Sequence, residues 1–333
     1  MGFVVDIKFA FVISINLEVD KAKIILENGG IVAIPTETVY GLAANAFDDN
    51  AIKKIFAAKQ RPLSDPLIVH CFSLAKVKEI VSSFPPVLEK MALQCWPGPL
   101  TILLYKNNLI SDLVTSGQNK VAVRIPNHPL TLSLLKNLEF PLVAPSANPF
   151  GYVSPTTAEH VKDQLADRID YILDGGPCSI GLESTIISLD QHNNILVHRP
   201  GGLDEEKIFE LTGKKPVLVK KEDSKIILPG TLEHHYAPFK TVVLGNLREN
   251  YNSYKDKKIG VLLFSSNCEF SFENCLVKKL SLNASLEEAA QNLFKCLREM
   301  DQEDIEIILV EKVPNCGIGV AINDRLMRAS AKK

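Results

Sequence analysis

FAAKQRPLSDPLIVH, residues 56–70, holds a helix exit, a polar loop and a buried strand in one short run. Upstream, Ile52, Ile55 and Phe56 recur at the spacing of one apolar helix stripe. Lys59 falls next on that stripe, Arg61 follows, and Pro62 is expected to close the helix. PLIVH then reads as a short buried strand at 66–71. A lysine on a core-facing stripe has two readings. Either its stem covers apolar surface while its head reaches water, or it stands in a cleft with an anion for partner, because an unpaired buried charge costs several kcal/mol.

Outward from this stretch, strands and helices mix without strict alternation. Helices are expected at 17–28, 49–60, 73–82, 85–95 and 128–137, and strands at 31–34, 101–106, 121–126 and 141–147. Thr156 and Glu159 read as a capping box for a helix through about 166, and YILDGG, STIISL and ILVHRPG as three more strands. The pattern predicts an α/β domain with a twisted mixed sheet and flanking helices over 17–212. Residues 213–239 read as an interdomain linker, charged at first and then marked by Pro and Gly. Over 240–333, strands at 241–245, 259–265 and 305–311 surround a helix capped by Ser285 and Glu288, with a stripe of Leu286, Ala289, Ala290, Leu293, Phe294 and Leu297. This predicts a smaller Rossmann-like domain. GIGVAI at 317–322 is not G-x-G-x-x-G, so dinucleotide binding is poorly supported.

Composition narrows the class. The 333 residues suggest two domains, and 46% hydrophobic with 23% charged content fits a soluble globular protein. A net charge of −2 gives no global basic field for nucleic acid. Seven scattered cysteines without Cys-x-x-Cys read as reduced and cytosolic, and no histidine pattern suggests zinc. Residues 1–16 are apolar but broken by Asp6 and Lys8. They are expected to be a strand or irregular arm, neither a membrane span nor a signal peptide.

The larger domain repeatedly ends a hydrophobic strand in hydroxyls or a cation: Thr36, Glu37, Thr38 and Tyr40; His70; Arg124; Ser146, Asn148 and Ser154; Ser184 and Thr185; Arg199. Open α/β sheets bind ligands at such strand ends. Singly these are ordinary turn or surface residues. Together, Lys59, Arg61, Arg124 and Arg199 with four hydroxyl-rich turns are what a polyphosphate demands. There is no P-loop, no G-x-S-x-G elbow and no kinase set.

PTETVYGL, KQRP followed by PLIVH, WPGPLT, VAVRIPNHPL, APSAN with a later SPT, and LEST followed by RPGG resemble the YrdC-type domain of threonylcarbamoyl-AMP synthases over about residues 17–203. LPG-x₄-HYAP at 228–238 and the terminal GIGVAINDRLMRAS resemble the two-domain form of that family. The resemblance implies conversion of L-threonine, bicarbonate and ATP, with Mg²⁺ accompanying the ATP, to threonylcarbamoyl-adenylate and pyrophosphate. A tRNA-modifying transferase would take the product. It also implies that Thr38, His70, Arg124 and Ser184 hold the threonine. Lys59 and Arg61 would act in catalysis by positioning and charge. With Asp65, Ser146, Asn148, Ser154 and Arg199 they would surround the nucleotide. Ala144 would offer backbone polar groups there, and Tyr236 would fold back over the ATP side. Asp65 departs from the asparagine usual in the family. An aspartate there either repels phosphates, unless magnesium or a lysine intervenes, or accepts from a base amino group. The competing reading is an RNA-binding or ribosome-associated module with a basic cleft and weak tRNA affinity. A third is a carbamoyl-adenylate enzyme of hydrogenase maturation, whose extra cysteine modules this chain lacks.

Overall fold

The computed structural model describes residues 7–219, 227–230, 235–266 and 271–331, with backbone alone for 7–15. Its larger sheet has ten strands. From edge to edge they are Val217–Leu218, Ile195–Arg199, Thr185–Leu189, Leu100–Tyr105, Lys120–Arg124, Ile68–His70, Leu142–Val143, Gly41–Asn45, Val32–Ile34 and Tyr171–Ile172. Parallel and antiparallel pairs interleave: Ile68–His70 lies parallel to Lys120–Arg124 and antiparallel to Leu142–Val143. This is the expected mixed sheet. Strand alternation sends Val32 and Ile34 to one face and Ala33 to the other. The first face is covered by helices Ile7–Glu27 and Pro129–Lys136, through Val19, Ala22, Leu26, Leu134 and Leu135. The second is covered chiefly by helices Asp49–Lys59, Leu74–Ile80, Pro86–Cys95 and Ala158–Leu165.

Helix Asp49–Lys59 forms where the 3.6 period predicts it. The Asp48 side chain accepts from the amides of Asn50 and Ala51. Its stop differs from expectation. Gln60 turns left-handed at φ 54°, and its amide returns to the carbonyls of Phe56 and Ala57, so the helix is closed two residues before Pro62.

The smaller sheet is wholly parallel, in the order Thr241–Leu244, Ile307–Val310, Ile259–Leu263, Leu276–Lys279. Helix Leu286–Gln302 fills one face through Ala289, Ala290, Leu293, Phe294 and Leu297, as its stripe requires. GIGVAI runs into the helix Gly319–Ser330, whose Asn323, Arg325 and Ala329 are buried. The two domains share apolar packing: Tyr152, Val153 and Leu182 of the first join the cluster around Phe294. Buried Arg298 donates across the same boundary to the carbonyls of Val153, Ser154 and His160.

Several expectations need correction. Residues 7–16 are helical, continuous with the helix expected at 17–28. Val12, Ile13 and Ile15 suggested extended chain, but no Gly or Pro lies between residues 3 and 28 to stop a helix running backward from its packed end. Within the expected linker, Val217–Leu218 adds a parallel strand to the outer edge of the larger sheet. Helices Glu205–Thr212 and Leu247–Tyr254 and the strand Leu276–Lys279 were not anticipated. The first two are one-sided amphipathic pieces too short to stand out, and the strand is only half-buried.

Candidate active site

The strand ends of the larger sheet meet in a cleft that opens to solvent. Its walls include Thr38, Arg61, His70, Arg124, Ser184 and Arg199. Ala144, Ser146, Glu183 and the linker residues Gly230, His235 and Tyr236 complete them. Lys59, Asp65, Asn148 and Ser154 stand behind the lining and hold it in place.

Lys59 resolves the question raised by its stripe. It is 1% exposed, and its Nζ donates to the carbonyls of Ser146 and Asn148, pinning the APSAN turn from beneath. Burial, then the neighbouring Arg61, pushes its pKa well down. Arg61 donates Nε to the carbonyl of Asp65 at 3.1 Å and Nη2 to that of Pro66 at 2.7 Å. Its Nη2 also lies 2.9 Å from the Asp65 carboxylate, an ion pair with both side chains inaccessible. Arg199 is fixed by the Ser184 carbonyl at 2.8 Å and the Pro229 carbonyl at 2.9 Å.

On the other side of the cleft, Arg124 ends its strand. Its Nη1 donates to Thr38 Oγ1 at 3.0 Å and its Nη2 to Glu37, while its buried Nε has no partner among the described residues. Glu37 also accepts from the Asn127 amide at 3.0 Å, which fixes the guanidinium from two directions. His70 Nδ1 lies 3.1 Å from the Ile68 carbonyl. Burial, then Arg124, pushes its pKa down to about 3, so the ring is neutral near pH 7. Ser184 Oγ pairs with Thr101 Oγ1 at 2.7 Å.

Tyr236 is 1% exposed at φ 63°, stacks on Phe294 with ring centroids 5.6 Å apart, and its hydroxyl, beside Arg199, has no hydrogen-bond partner among the described residues. Ser154 does not face the cleft. Its hydroxyl donates to Glu183 at 2.6 Å, and Glu183 accepts from Arg325 Nε at 2.8 Å. Asn148 spends its amide on the carbonyls of Pro149 and Tyr152, at 2.8 and 2.9 Å. The Ala144 amide is likewise committed to Ile68. Glu37, Glu183 and Arg325 were not among the expected site residues. Each glutamate sits inside a quoted motif, PTETVYGL or LEST, and that position was the only signal; their partners lie tens of residues away.

Charge completes the description. Lys59, Arg61, Arg124, Arg199 and Arg325 are buried against Asp65, Glu37 and Glu183. Arg61, Arg124 and Arg325 pair with Asp65, Glu37 and Glu183, while Arg199 has no carboxylate within ion-pair distance among the described residues and is an excess positive charge. Such an excess is costly unless an anion arrives. Among the described residues no group of three or more His, Cys, Asp or Glu could hold a metal ion.

Fold and cleft together define a two-domain α/β protein with an arginine-lined cleft at the strand ends of its larger sheet. Residues 24–201 match the Sua5_yciO_yrdC family model, described as "Telomere recombination". Residues 203–331 match the model "Threonylcarbamoyl-AMP synthase, C-terminal domain". The threonylcarbamoyl-AMP synthase of Pyrococcus abyssi is 39% identical over 92% of this chain and 92% of its own, and that of Bacillus subtilis 37% over 94% and 93%. The crystal structure of P. abyssi Sua5 complexed with L-threonine superposes with a TM-score of 0.86 at 38% identity, covering 94% of each chain. The chain belongs to the threonylcarbamoyl-AMP synthase family, in its two-domain form. The crystal structure of full-length HypF in its phosphate- and nucleotide-bound form shares the fold alone, at 23% identity and a TM-score of 0.51 over 56% of this chain and 29% of its own.

Proposed function

We propose that this chain joins L-threonine, bicarbonate and ATP into threonylcarbamoyl-adenylate, releasing pyrophosphate. The observation that carries the reading is the division of one cleft into two differently charged halves. Arg124, anchored by Glu37 and Thr38, keeps Nε for a carboxylate, and the neutral His70 stands beside it, while the Ser184 hydroxyl links Thr101 to Arg199 at the boundary of the two halves. Across the cleft, Arg61 and Arg199 face the linker's Tyr236, where the excess positive charge suits phosphates.

The threonine amine adds to bicarbonate with loss of water. One oxygen of the resulting carbamate attacks the α-phosphorus, and pyrophosphate leaves with the displaced electron pair. The residues act by holding the carbamate in line and by stabilising charge on the phosphates, without a proton relay. Magnesium, in this reading, arrives on the triphosphate and neutralises part of its charge. Tyr236 and His235 keep water from the carbamate.

The product is a mixed anhydride, so a partner must take it up promptly. A tRNA-modifying transferase fits, and a cytoplasmic location follows from that partner. Among the described residues, no helix is long and apolar enough to cross a membrane. A module that only binds RNA would need an open basic groove; here the cations are buried inside a small cleft.

The test is pyrophosphate release from ATP and bicarbonate, with and without L-threonine. Release is expected to depend on threonine. Equal rates with serine or with no amino acid would contradict the reading.

A further inference from the structure

Asp65 is 2% exposed and absent from the cleft wall, yet Arg61, which it pairs, lines the cleft. Among the described residues neither carboxylate oxygen accepts a hydrogen bond: Arg61 aims its aligned N–H groups at the carbonyls of Asp65 and Pro66, and Oδ2 meets Nη2 only as an ion pair at 2.9 Å. The carboxylate therefore lies alongside the guanidinium as a charge. A buried carboxylate held by an ion pair alone is expensive as a purely structural device. Its field also reaches Lys59 and Arg199. The remaining carboxylates are committed elsewhere: Glu37 to Arg124 and Asn127, Glu183 to Arg325 and Ser154.

We propose that Asp65 is a counter-ion and not a nucleotide ligand: it opposes polyphosphate binding at Arg61 and so sets how readily pyrophosphate leaves. The inference rests on the functional reading above and extends it. Without Asp65, Arg61 would have no carboxylate partner among the described residues. An incoming pyrophosphate would then meet one like charge fewer, Glu183 beside Arg199 remaining in the cleft wall. Asp65 is thus a positioning and charge-setting residue acting through Arg61. The site gives up affinity for polyphosphate in return for release.

The test uses the full chain with inorganic pyrophosphate as probe, followed by calorimetry and by thermal melting. Asp65→Asn keeps the side-chain shape and removes the charge; Asp65→Ser is a second neutral variant if the first melts too low. Both are expected to bind pyrophosphate about tenfold more tightly, the scale of one like charge removed from a partly desolvated site. Their melting temperatures should rise more on adding pyrophosphate than wild type's does, and pyrophosphate should inhibit turnover more strongly. L-Threonine affinity should stay within twofold. A merely structural role for Asp65 would lower the ligand-free melting temperature but leave the ligand-induced rise unchanged, and that result overturns the inference. So does equal or weaker pyrophosphate binding in both variants. If the wild type neither binds pyrophosphate nor releases it from ATP with threonine and bicarbonate, the functional reading itself fails.

Discussion

Arg325, in the last helix of the smaller domain, donates Nε at 2.8 Å to Glu183, at a strand end of the larger one. Arg325 is wholly inaccessible, and its guanidinium also lies 5.0 Å from the centre of the Tyr236 ring. A residue of the smaller domain thus sits against the wall of the cleft in the larger. Removing one partner of a buried pair strands the other, which typically costs about 3–5 kcal/mol. Arg325→Met should therefore destabilise the chain by that order in urea denaturation. Arg325→Met combined with Glu183→Gln should recover much of the loss, because position 183 no longer carries a bare charge and Asp324, which Arg325 also pairs, keeps Arg328. A single variant within about 1 kcal/mol of wild type would show that the pair does not join the domains energetically.

Lys59 poses a sharper competition of terms. Lys59→Met keeps most of the stem but takes a donor from the Asn148 carbonyl, at about 1–3 kcal/mol, and one of two from the Ser146 carbonyl, which keeps the Asn148 amide. Against that, a buried ammonium is no longer desolvated. The two effects nearly offset, so stability should change by less than about 2 kcal/mol. Turnover should still fall by about 10²-fold or more, because the APSAN turn loses its fixed place and the cleft loses a charge. Near-normal turnover would remove Lys59 from the machinery.

Residues with strong local causes could be read in advance. The stripe of Ile52, Ile55 and Phe56 and the stripe from Leu286 to Leu297 both form as spaced. His70, Arg124, Ser184 and Arg199 converge on one cleft because all stand at or beside ends of strands in one sheet, and Arg61 joins them from the exit of the helix Asp49–Lys59. Long-range pairing was not legible. Glu183 and Arg325 are 142 positions apart, and no local pattern marks them as partners. Nor does sequence say that Ser154 turns away toward Glu183 or that Asn148 bonds its own loop. Hydroxyl and amide side chains satisfy whichever neighbour is nearest, and that neighbour is set by tertiary packing.

Gly230 tests the seating of the linker. At φ 74° a side chain is strained, and a Cβ would stand 2.2 Å from the Tyr236 hydroxyl and 2.9 Å from Arg199 Nη1. Arg199 cannot swing aside, because Ser184 and Pro229 hold it. Gly230→Ala should therefore lift the linker from the cleft. The Ala237 amide, which donates to the Gly151 carbonyl at 3.0 Å, should then exchange with deuterium markedly faster, while amides of the central strand Ile68–His70 keep their protection. Unchanged exchange at Ala237 would show that the linker tolerates a side chain there.

His70 makes a prediction about acid. Its folded pKa lies near 3, below the ordinary 6.5, because burial and Arg124 disfavour the imidazolium. The unfolded chain thus takes up a proton at His70 that the folded chain refuses. Stability contributed by this site is complete above pH 6.5 and is lost as pH falls from there toward 3, by up to about 1.4 kcal/mol per pH unit. His160 and His198, each pushed down to about 4, act in the same direction. His70→Asn, which cannot titrate, should flatten the fall in unfolding free energy between pH 6.5 and 5 by close to one proton's worth of slope. If denaturant melts of wild type and variant run parallel across that range, His70 is protonated in the native cleft. Its part as a neutral neighbour of Arg124 would then have to be abandoned.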